Sequence, residues 1–294
     1  MIIILVSVII ATYKRDLSLK NAIDSLMKQT YKNIEIIVVD DNANKVWNDK
    51  IKEIIDNCEK IHPIIYIKNE KNKGSAETRN IGIKEAKGEY ITFLDDDDIY
   101  LPNKIHNQLC EMKKSNADFS ITDLELVNES GKIIEKRTRE YIEDFSTRSL
   151  LKYHLMHHIT GTDTMMFRRE YLIDIGGFEP IDVGDEFYLM QKAIEKGGKF
   201  DYISVCDVKA YVHTETEGLS SGESKINGEN SLYEYKKKYF NELDRKSISY
   251  IKMRHYAVLA FTEIRRKKYI RFAKYSIQAV ISSPIGCIKL LKNM

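Results

Sequence analysis

The chain has 294 residues, 43% of them hydrophobic, which is enough for a sizeable core and excludes an intrinsically disordered protein. The net charge of +2 is unevenly spread: residues 246–294 hold eleven Lys/Arg and one acid, Glu263, so that segment carries +10 and the remainder −8. A basic tail points to an anionic partner, but no aromatic stacking motif accompanies it, which argues against a nucleic-acid module.

Residues 2–11 form a near-continuous apolar run, as in a parallel strand buried on both faces. The run is too short to span a bilayer and no cationic stretch precedes it, so no secretion signal is expected. Leu17, Ala22, Ile23, Leu26 and Met27 have helical spacing within 16–29. A second buried strand, 34–39, ends in Asp40-Asp41-Asn42. Helix 46–58 and strand 64–68 follow. Lys73-Gly74-Ser75 opens a helix running to Lys87, with Ser75 as its N-cap. Residues 90–94 are a fourth strand. Strands alternating with helices imply βαβ units and a mainly parallel sheet.

After Pro102 the spacing predicts a helix over 104–115 and an extended segment over 118–122. Residues 124–127 and 132–136 flank Asn128-Glu129-Ser130-Gly131 as a hairpin. A helix over 146–158, a short strand over 164–167, a turn at 174–180 and a helix over 186–196 come next. Residues 202–213 read as one extended run, and from Asn230 the chain is helical and basic. His157 and His158 are adjacent, so their rings diverge and do not chelate. Trp47 and the tyrosines from Tyr233 to Tyr256 read as core packing. Residues 276–291 are broken by Ser-Ser-Pro and Gly286 and make a poor spanning helix. Cys58, Cys110, Cys206 and Cys287 are scattered without a CxxC, which suits free thiols in a reducing cytoplasm.

In an open parallel sheet, ligands sit beyond the carboxyl ends of the strands. Three such ends are polar here: Ala11-Thr12-Tyr13-Lys14-Arg15, Asp40-Asp41-Asn42, and Asp95-Asp96-Asp97-Asp98. Adjacent carboxylates behind a buried strand repel one another unless a cation lies among them. Hard oxygen donors suit Mg2+ or Mn2+. A cation among acids usually also holds phosphate, which the Thr12–Arg15 loop and Arg79 can face. The inferred ligand is a nucleoside diphosphate compound.

The stretches "VSVIIATYKR" (6–15), "SLMKQTYKNIEIIVVDDNA" (25–43), "NKGSAETRNIGIKEAKGEYITFLDDDD" (72–98) and "IGGFEP" (175–180) resemble the inverting family 2 glycosyltransferases of the GT-A fold, of the type that builds bacterial surface polysaccharides. The resemblance covers about residues 5–215. It implies an α/β domain over 1–225, with a Rossmann-like nucleotide-binding half (1–100) and an acceptor half (101–225). Residues 226–294 form a basic helical extension. It implies a nucleotide-sugar donor, UDP-linked, transferred with inversion to the hydroxyl of a glycan or lipid-linked acceptor. It also assigns residues. Ala11, Thr12 and Tyr13 hold the nucleoside, Asp41 the base edge, and Asp95 or Asp96 the ribose. Arg79 lies near base or phosphate, and Asp97 binds Mn2+ or Mg2+, with His213 as a third ligand. Asp98 reads instead as a helix-start or turn acid.

Inverting transfer needs a carboxylate base. In the resembling family it starts a helix after the "GGF" turn, often as Glu-Asp. This chain has Asp185-Glu186 in swapped order. Alignment on Gly184 favours Asp185, with Glu186 in reserve. The swap leaves open a catalytically degenerate nucleotide-sugar-binding subunit. A phosphotransferase with an Asp-x-Asp nucleophile is disfavoured, because the first strand ends in Ala-Thr-Tyr. The tail around Arg265-Arg266-Lys267-Lys268 reads as an amphipathic basic helix. It suits either an anionic membrane surface, which places the enzyme in the cytoplasm at the inner membrane face, or packing on the acidic domain.

Overall fold

The computed structural model describes residues 4–181, 184–212 and 222–292. The chain divides into two compact units. The first takes Met1–Thr147, Thr160–Pro180 and Asp185–His213, and the second takes Arg148–Ile159, Ile181–Gly184 and Thr214–Met294.

The first unit opens with three alternations: β1 (Val6–Thr12), α1 (Leu17–Met27), β2 (Ile34–Asp40), α2 (Lys45–Asn57), β3 (Ile64–Lys68), α3 (Ser75–Glu85) and β4 (Tyr90–Phe93). Every residue of β2 is buried, as expected of a strand covered on both faces. β1 pairs in parallel with both β2 and β4, so their carboxyl ends share one edge. β5 (Ile99–Tyr100), α4 (Lys104–Ser115), β6 (Phe119–Thr122), β7 (Leu124–Val127) and β8 (Ile133–Arg137) follow. Beyond α5 (Thr147–His157) come β9 (Met165–Arg168), α6 (Arg169–Asp174), α7 (Asp185–Lys196), β10 (Phe200–Ile203) and β11 (Val208–Tyr211).

Among the described residues, seven strands form one sheet in the order β10-β6-β9-β4-β1-β2-β3, and four form a second in the order β5-β11-β7-β8. β9 runs antiparallel between β4 and β6, making the sheet mixed but mainly parallel. The hairpin expected at 124–136 is the β7–β8 pair. The run expected at 202–213 is two strands in different sheets: β10 joins β6 and β11 joins β7. The chain changes sheets between them, where Asp123 N–H donates to Val205 O and Leu101 N–H to Asp207 O.

Two further expectations are corrected. Ser75 does not cap α3. Gly74 holds the N-cap position, and the Ser75 hydroxyl points to Asp185 instead. Trp47 is half-buried in the first turns of α2 with Lys50 Nζ 4.7 Å from its ring, so it is not core.

The edge opposite the polar loops is closed by Glu35. This buried carboxylate accepts from Ser7 Oγ at 2.5 Å, Lys87 N at 2.7 Å and Gly88 N at 3.1 Å. A Cβ at Gly88 would lie 2.6 Å from Ser7 N and 2.9 Å from Leu5 O. These are backbone atoms that cannot rotate away. Gly88→Ala is therefore expected to cost about 1–3 kcal/mol through overpacking, read as a lowered thermal midpoint; an unchanged midpoint would show that the strand entry yields freely.

The second unit contains α5, then α8 (Gly222–Lys237), α9 (Arg245–Arg265), α10 (Tyr269–Ser282) and α11 (Pro284–Lys292). Asp244 caps α9 by accepting from Ser247 N at 2.9 Å. Tyr233 stacks on His255 with centroids 4.1 Å apart, and His255 meets Glu229 at 3.0 Å. α5 ends at His157, so His158 lies beyond it with a left-handed φ of 54°. All four cysteines are free. Among the described residues, no helix is long and apolar enough to cross a membrane.

Candidate active site

The polar loops after β1, β2 and β4 meet as their shared edge requires. Thr12 Oγ1 donates to Asp96 Oδ2 at 2.7 Å and Tyr13 N to the same oxygen at 3.2 Å. Arg15 reaches across the acid loop, with Nη2 2.8 Å from Asp97 Oδ2 and Nε 3.8 Å from Asp96 Oδ1. Burial, with Asp97 beside it, pushes the Asp96 carboxyl up to about 7. Ala11 lies half-buried one residue before the end of β1, and Tyr13, just beyond that end, stands 45% exposed.

Asp40 and Asp41 serve different elements. Asp40 is fully buried and accepts from Asn42 Nδ2, Asn48 Nδ2 and Tyr66 Oη, tying β2 to α2 and β3. Asp41 accepts from Asn69 Nδ2 at 2.8 Å, Lys73 N at 2.8 Å and Gly74 N at 2.9 Å. Its carboxylate thus holds the loop that starts α3. A base edge would reach Asp41 only in competition with these N–H groups.

Arg79 is 8% exposed. Its Nη1 lies 2.7 Å from Asp185 Oδ2 and its Nη2 2.7 Å from Asp95 Oδ1. Burial opposes its charge, but the two carboxylates outweigh that and raise its pKa. The guanidinium also lies over the Phe178 ring at 5.4 Å. Asn80 secures the "GGF" turn at two points: Nδ2 donates to Phe178 O and Oδ1 accepts from Phe178 N, both at 2.8 Å. Gly177 has φ +62°, and a Cβ there would sit 2.5 Å from Asn80 Oδ1, so glycine is required. α3 thereby fixes the turn that leads toward α7.

Asp185 is 5% exposed. Its Oδ2 takes Arg79 and, at 3.2 Å, Ser75 Oγ; its Oδ1 accepts from Glu186 N at 3.0 Å. Burial pushes its carboxyl up to about 6, against the pull of Arg79. Glu186 is the next residue on the first turn of α7 and is half-buried. His213 lies outside the described residues.

Asp98 starts no helix but does close a turn, its N–H donating to Asp95 O at 3.2 Å, and its side chain is buried rather than left at the surface. Asp98 is buried, its Oδ1 accepts from Tyr211 N at 2.8 Å, and it hydrogen-bonds Asp163. Asp163 in turn accepts from Asp95 N at 2.6 Å. Burial and the neighbouring carboxylates raise both carboxyls, Asp163 to about 7 and Asp98 well above its usual value. Asp95, Asp98 and Asp163 each bring an oxygen within 4.8 Å of the others, a cluster able to hold a cation. Beneath them Lys104, fully buried, donates to Thr92 Oγ1 at 2.7 Å and Tyr100 Oη at 2.8 Å. Tyr100 Oη donates to Asp163 O at 3.0 Å.

Sequence reasoning missed Asp163, Asn80 and Lys104. Asp163 is a single acid between two threonines, and Asn80 and Lys104 look like ordinary helix-surface residues. Only the charge of Lys104 at the head of an amphipathic helix hinted at a buried partner.

Residues 7–176 match the family model described as Glycosyl transferase family 2. An uncharacterized glycosyltransferase of Methanocaldococcus jannaschii is 33% identical over 202 residues, covering 68% of each chain. One from Rickettsia felis is 45% identical over 130 residues, 44% of this chain, and that match spans only 21% of the relative's length. The UDP-Glc:alpha-D-GlcNAc-diphosphoundecaprenol beta-1,3-glucosyltransferase WfaP of Escherichia coli is 43% identical over 119 residues, covering 40% of this chain and 45% of WfaP. Among solved structures, residues 1–349 of S. aureus TarS in complex with UDP-GlcNAc align with a TM-score of 0.62 at 17% identity, covering 96% of this chain and 92% of that one. The mannosyltransferase PcManGT of Pyrobaculum calidifontis, in complex with GDP-Man and Mn2+, aligns at 0.56 and 17% identity, covering 94% and 73%.

Proposed function

The chain belongs to glycosyl transferase family 2, and we propose that it transfers a sugar from a UDP-linked donor to the hydroxyl of a lipid-linked glycan acceptor, with inversion, at the cytoplasmic face of the membrane in surface-polysaccharide assembly. The observation that carries the reading is the convergence of Asp95, Asp96, Asp97 and Asp185 with Arg15 and Arg79 at the carboxyl edge of a parallel sheet. The E. coli relative supplies the class of donor and acceptor, since its name specifies UDP-Glc and a diphosphoundecaprenol-linked sugar.

A divalent cation fits this donor set. The acid loop offers hard carboxylate oxygens, and the Arg15 guanidinium already stands against Asp97 as a cationic stand-in. Asp97 and Asp95 would hold Mn2+ or Mg2+, with His213 as the further ligand the sequence suggests. When bound, the ion supplies positive charge against the leaving diphosphate. The chain's own groups do the rest. The Tyr13 ring offers the base a face, and Thr12 and Asp96 present polar atoms to the ribose. Arg15, released from Asp97, is within reach of phosphate. Asp185, paired with Arg79 and Ser75, holds the entry of α7, and Glu186 beside it is the proposed acceptor of the proton from the attacking hydroxyl.

Thermal-shift measurement with UDP, UDP-sugars and GDP-sugars, with and without Mn2+, tests the donor, because a native-state ligand raises stability by mass action. Stabilisation by UDP compounds that needs Mn2+, followed by transfer to a lipid-linked acceptor, is expected. Stabilisation without turnover on any acceptor would favour the degenerate binding subunit.

Asp97→Asn is expected to remove most of the Mn2+-dependent gain in UDP affinity, read by calorimetry; equal metal dependence in both proteins would overturn the ligand assignment. The Mn2+ effect should also depend on pH. Asp96 titrates near 7 when folded, above its unfolded value. The native apo protein therefore keeps that proton at low pH and loses the associated stability as pH rises through 7. A cation held by the neighbouring Asp97 would relieve the repulsion that raises Asp96 and so offset that loss, and its thermal shift is expected to be larger at about pH 8 than at about pH 5.5.

A further inference from the structure

The outward face of α10 is apolar. Ile270, Ile277 and Ile281 recur at helical spacing with Val280 beside them, and Ile270 is 89% and Ile281 76% exposed. The opposite face carries buried Ala279 and half-buried Phe272 and Tyr275, with Tyr275 against Tyr256 of α9. α11 continues the pattern with Ile285, 70% exposed, and Ile288. A helix that turns large aliphatic side chains away from its own packing partner leaves an apolar patch for something else to cover.

The charges around the patch say what that is. Arg265, Lys267 and Lys268 are exposed at the α9–α10 corner, Lys274 lies beside Ile270 and Ile277 on the helix surface, and Lys289 lies beside Ile285 and Ile288. The one acid of residues 246–294, Glu263, is buried and already engaged by Arg266 at 3.4 Å and Arg271 at 3.3 Å. Outside this segment the exposed Glu223 of α8 meets Arg266 at the corner, but among the described residues of α10 and α11 no acid lies between the isoleucines and their bordering cations, so the face is complementary to a plane that is apolar within and negative at its rim. A second copy of this chain would set cations against cations. No described helix is long and apolar enough to cross a bilayer, so the patch lies on one rather than through it.

We propose that α10 and α11 dock the protein on an anionic lipid bilayer, with Ile270, Ile277, Ile281 and Ile285 entering the headgroup boundary and Lys267, Lys268, Lys274 and Lys289 meeting lipid phosphates. This surface stands whether or not the donor has been correctly identified. Isoleucine insertion gives the part of the binding that survives salt, and the lysines give the part that salt screens.

Co-sedimentation of the full chain with phosphatidylcholine vesicles, with and without about 30 mol% phosphatidylglycerol, tests it. Pelleting with the anionic vesicles alone, weakened between about 50 mM and 500 mM NaCl, is expected. Ile270→Asp with Ile277→Asp, and separately Lys267→Glu with Lys268→Glu, should each lower the affinity by about tenfold or more. These side chains are exposed, so the parental melting temperature should be kept. Failure to bind anionic vesicles at low salt, equal binding to both vesicle types, or unchanged binding in both variants would overturn the proposal. So would a concentration-dependent dimer, seen by light scattering, that the isoleucine variant abolishes while vesicle binding stays absent.

Discussion

Arg79→Met is expected to destabilise the first unit by about 3–5 kcal/mol, the usual cost of removing one partner from a buried charge cluster. The guanidinium is almost wholly enclosed and spans two carboxylates at 2.7 Å each, Asp95 on the acid loop and Asp185 at the head of α7. Methionine fills a similar volume but leaves two buried acids without a counter-charge, so Asp185 takes up a proton or the α7 entry moves. Arg79→Lys is not a rescue, because one ammonium cannot fork to two acids in the way a planar guanidinium does. Thermal unfolding reads the loss. Pairing Arg79→Met with Asp185→Asn should cost less than the sum of the two, by about 0.5–3 kcal/mol, since the second change removes an acid the first has stranded. Strict additivity would mean that the pair does not couple the acid loop to α7.

The contrast between Arg79 and its neighbours shows how far the sequence could be read. The alternation of β1 through β4 was legible because each strand is a short apolar run bounded by turn residues, and the acid loop because four adjacent carboxylates are conspicuous. β5 escaped because two residues, Ile99-Tyr100, carry no periodicity. α6 escaped because a helix of six residues presents less than two turns of pattern. The run at 202–213 has uniform strand character, and its division between sheets is a tertiary decision. Asp98 was legible as a turn acid, but its burial against Asp163 was not, because that partner is remote in sequence and only the fold brings the two carboxyls together. Ser75 satisfied the composition rule for an N-cap but lost that place to Gly74, whose N–H is taken by Asp41.

Glu186→Gln is expected to lower kcat for sugar transfer by about 10²–10⁴-fold, the usual contribution of a general base, while leaving UDP-induced stabilisation intact. Sequence alignment on Gly184 favours Asp185 for this role, and the geometry argues the other way. Both Asp185 oxygens are engaged, one by Arg79 and Ser75 and the other by the backbone N–H of Glu186. An acceptor hydroxyl would have to come within about 2.6–3.2 Å of an oxygen that is already ion-paired and enclosed. Taking its proton would neutralise Asp185 and strand the Arg79 charge in the interior. Glu186 is one residue on and one methylene longer, and it is half-buried. On the proposed reading Asp185 is the positioning residue, holding the α7 entry against α3, and Glu186 is the base. The two substitutions should differ in kind. Glu186→Gln keeps the melting temperature and loses turnover, as expected when an interaction made only in the transition state is removed. Asp185→Asn lowers the melting temperature and leaves part of the turnover. If Asp185→Asn abolishes transfer at unchanged stability while Glu186→Gln stays active, Asp185 is the base and its pair with Arg79 must open when the acceptor binds.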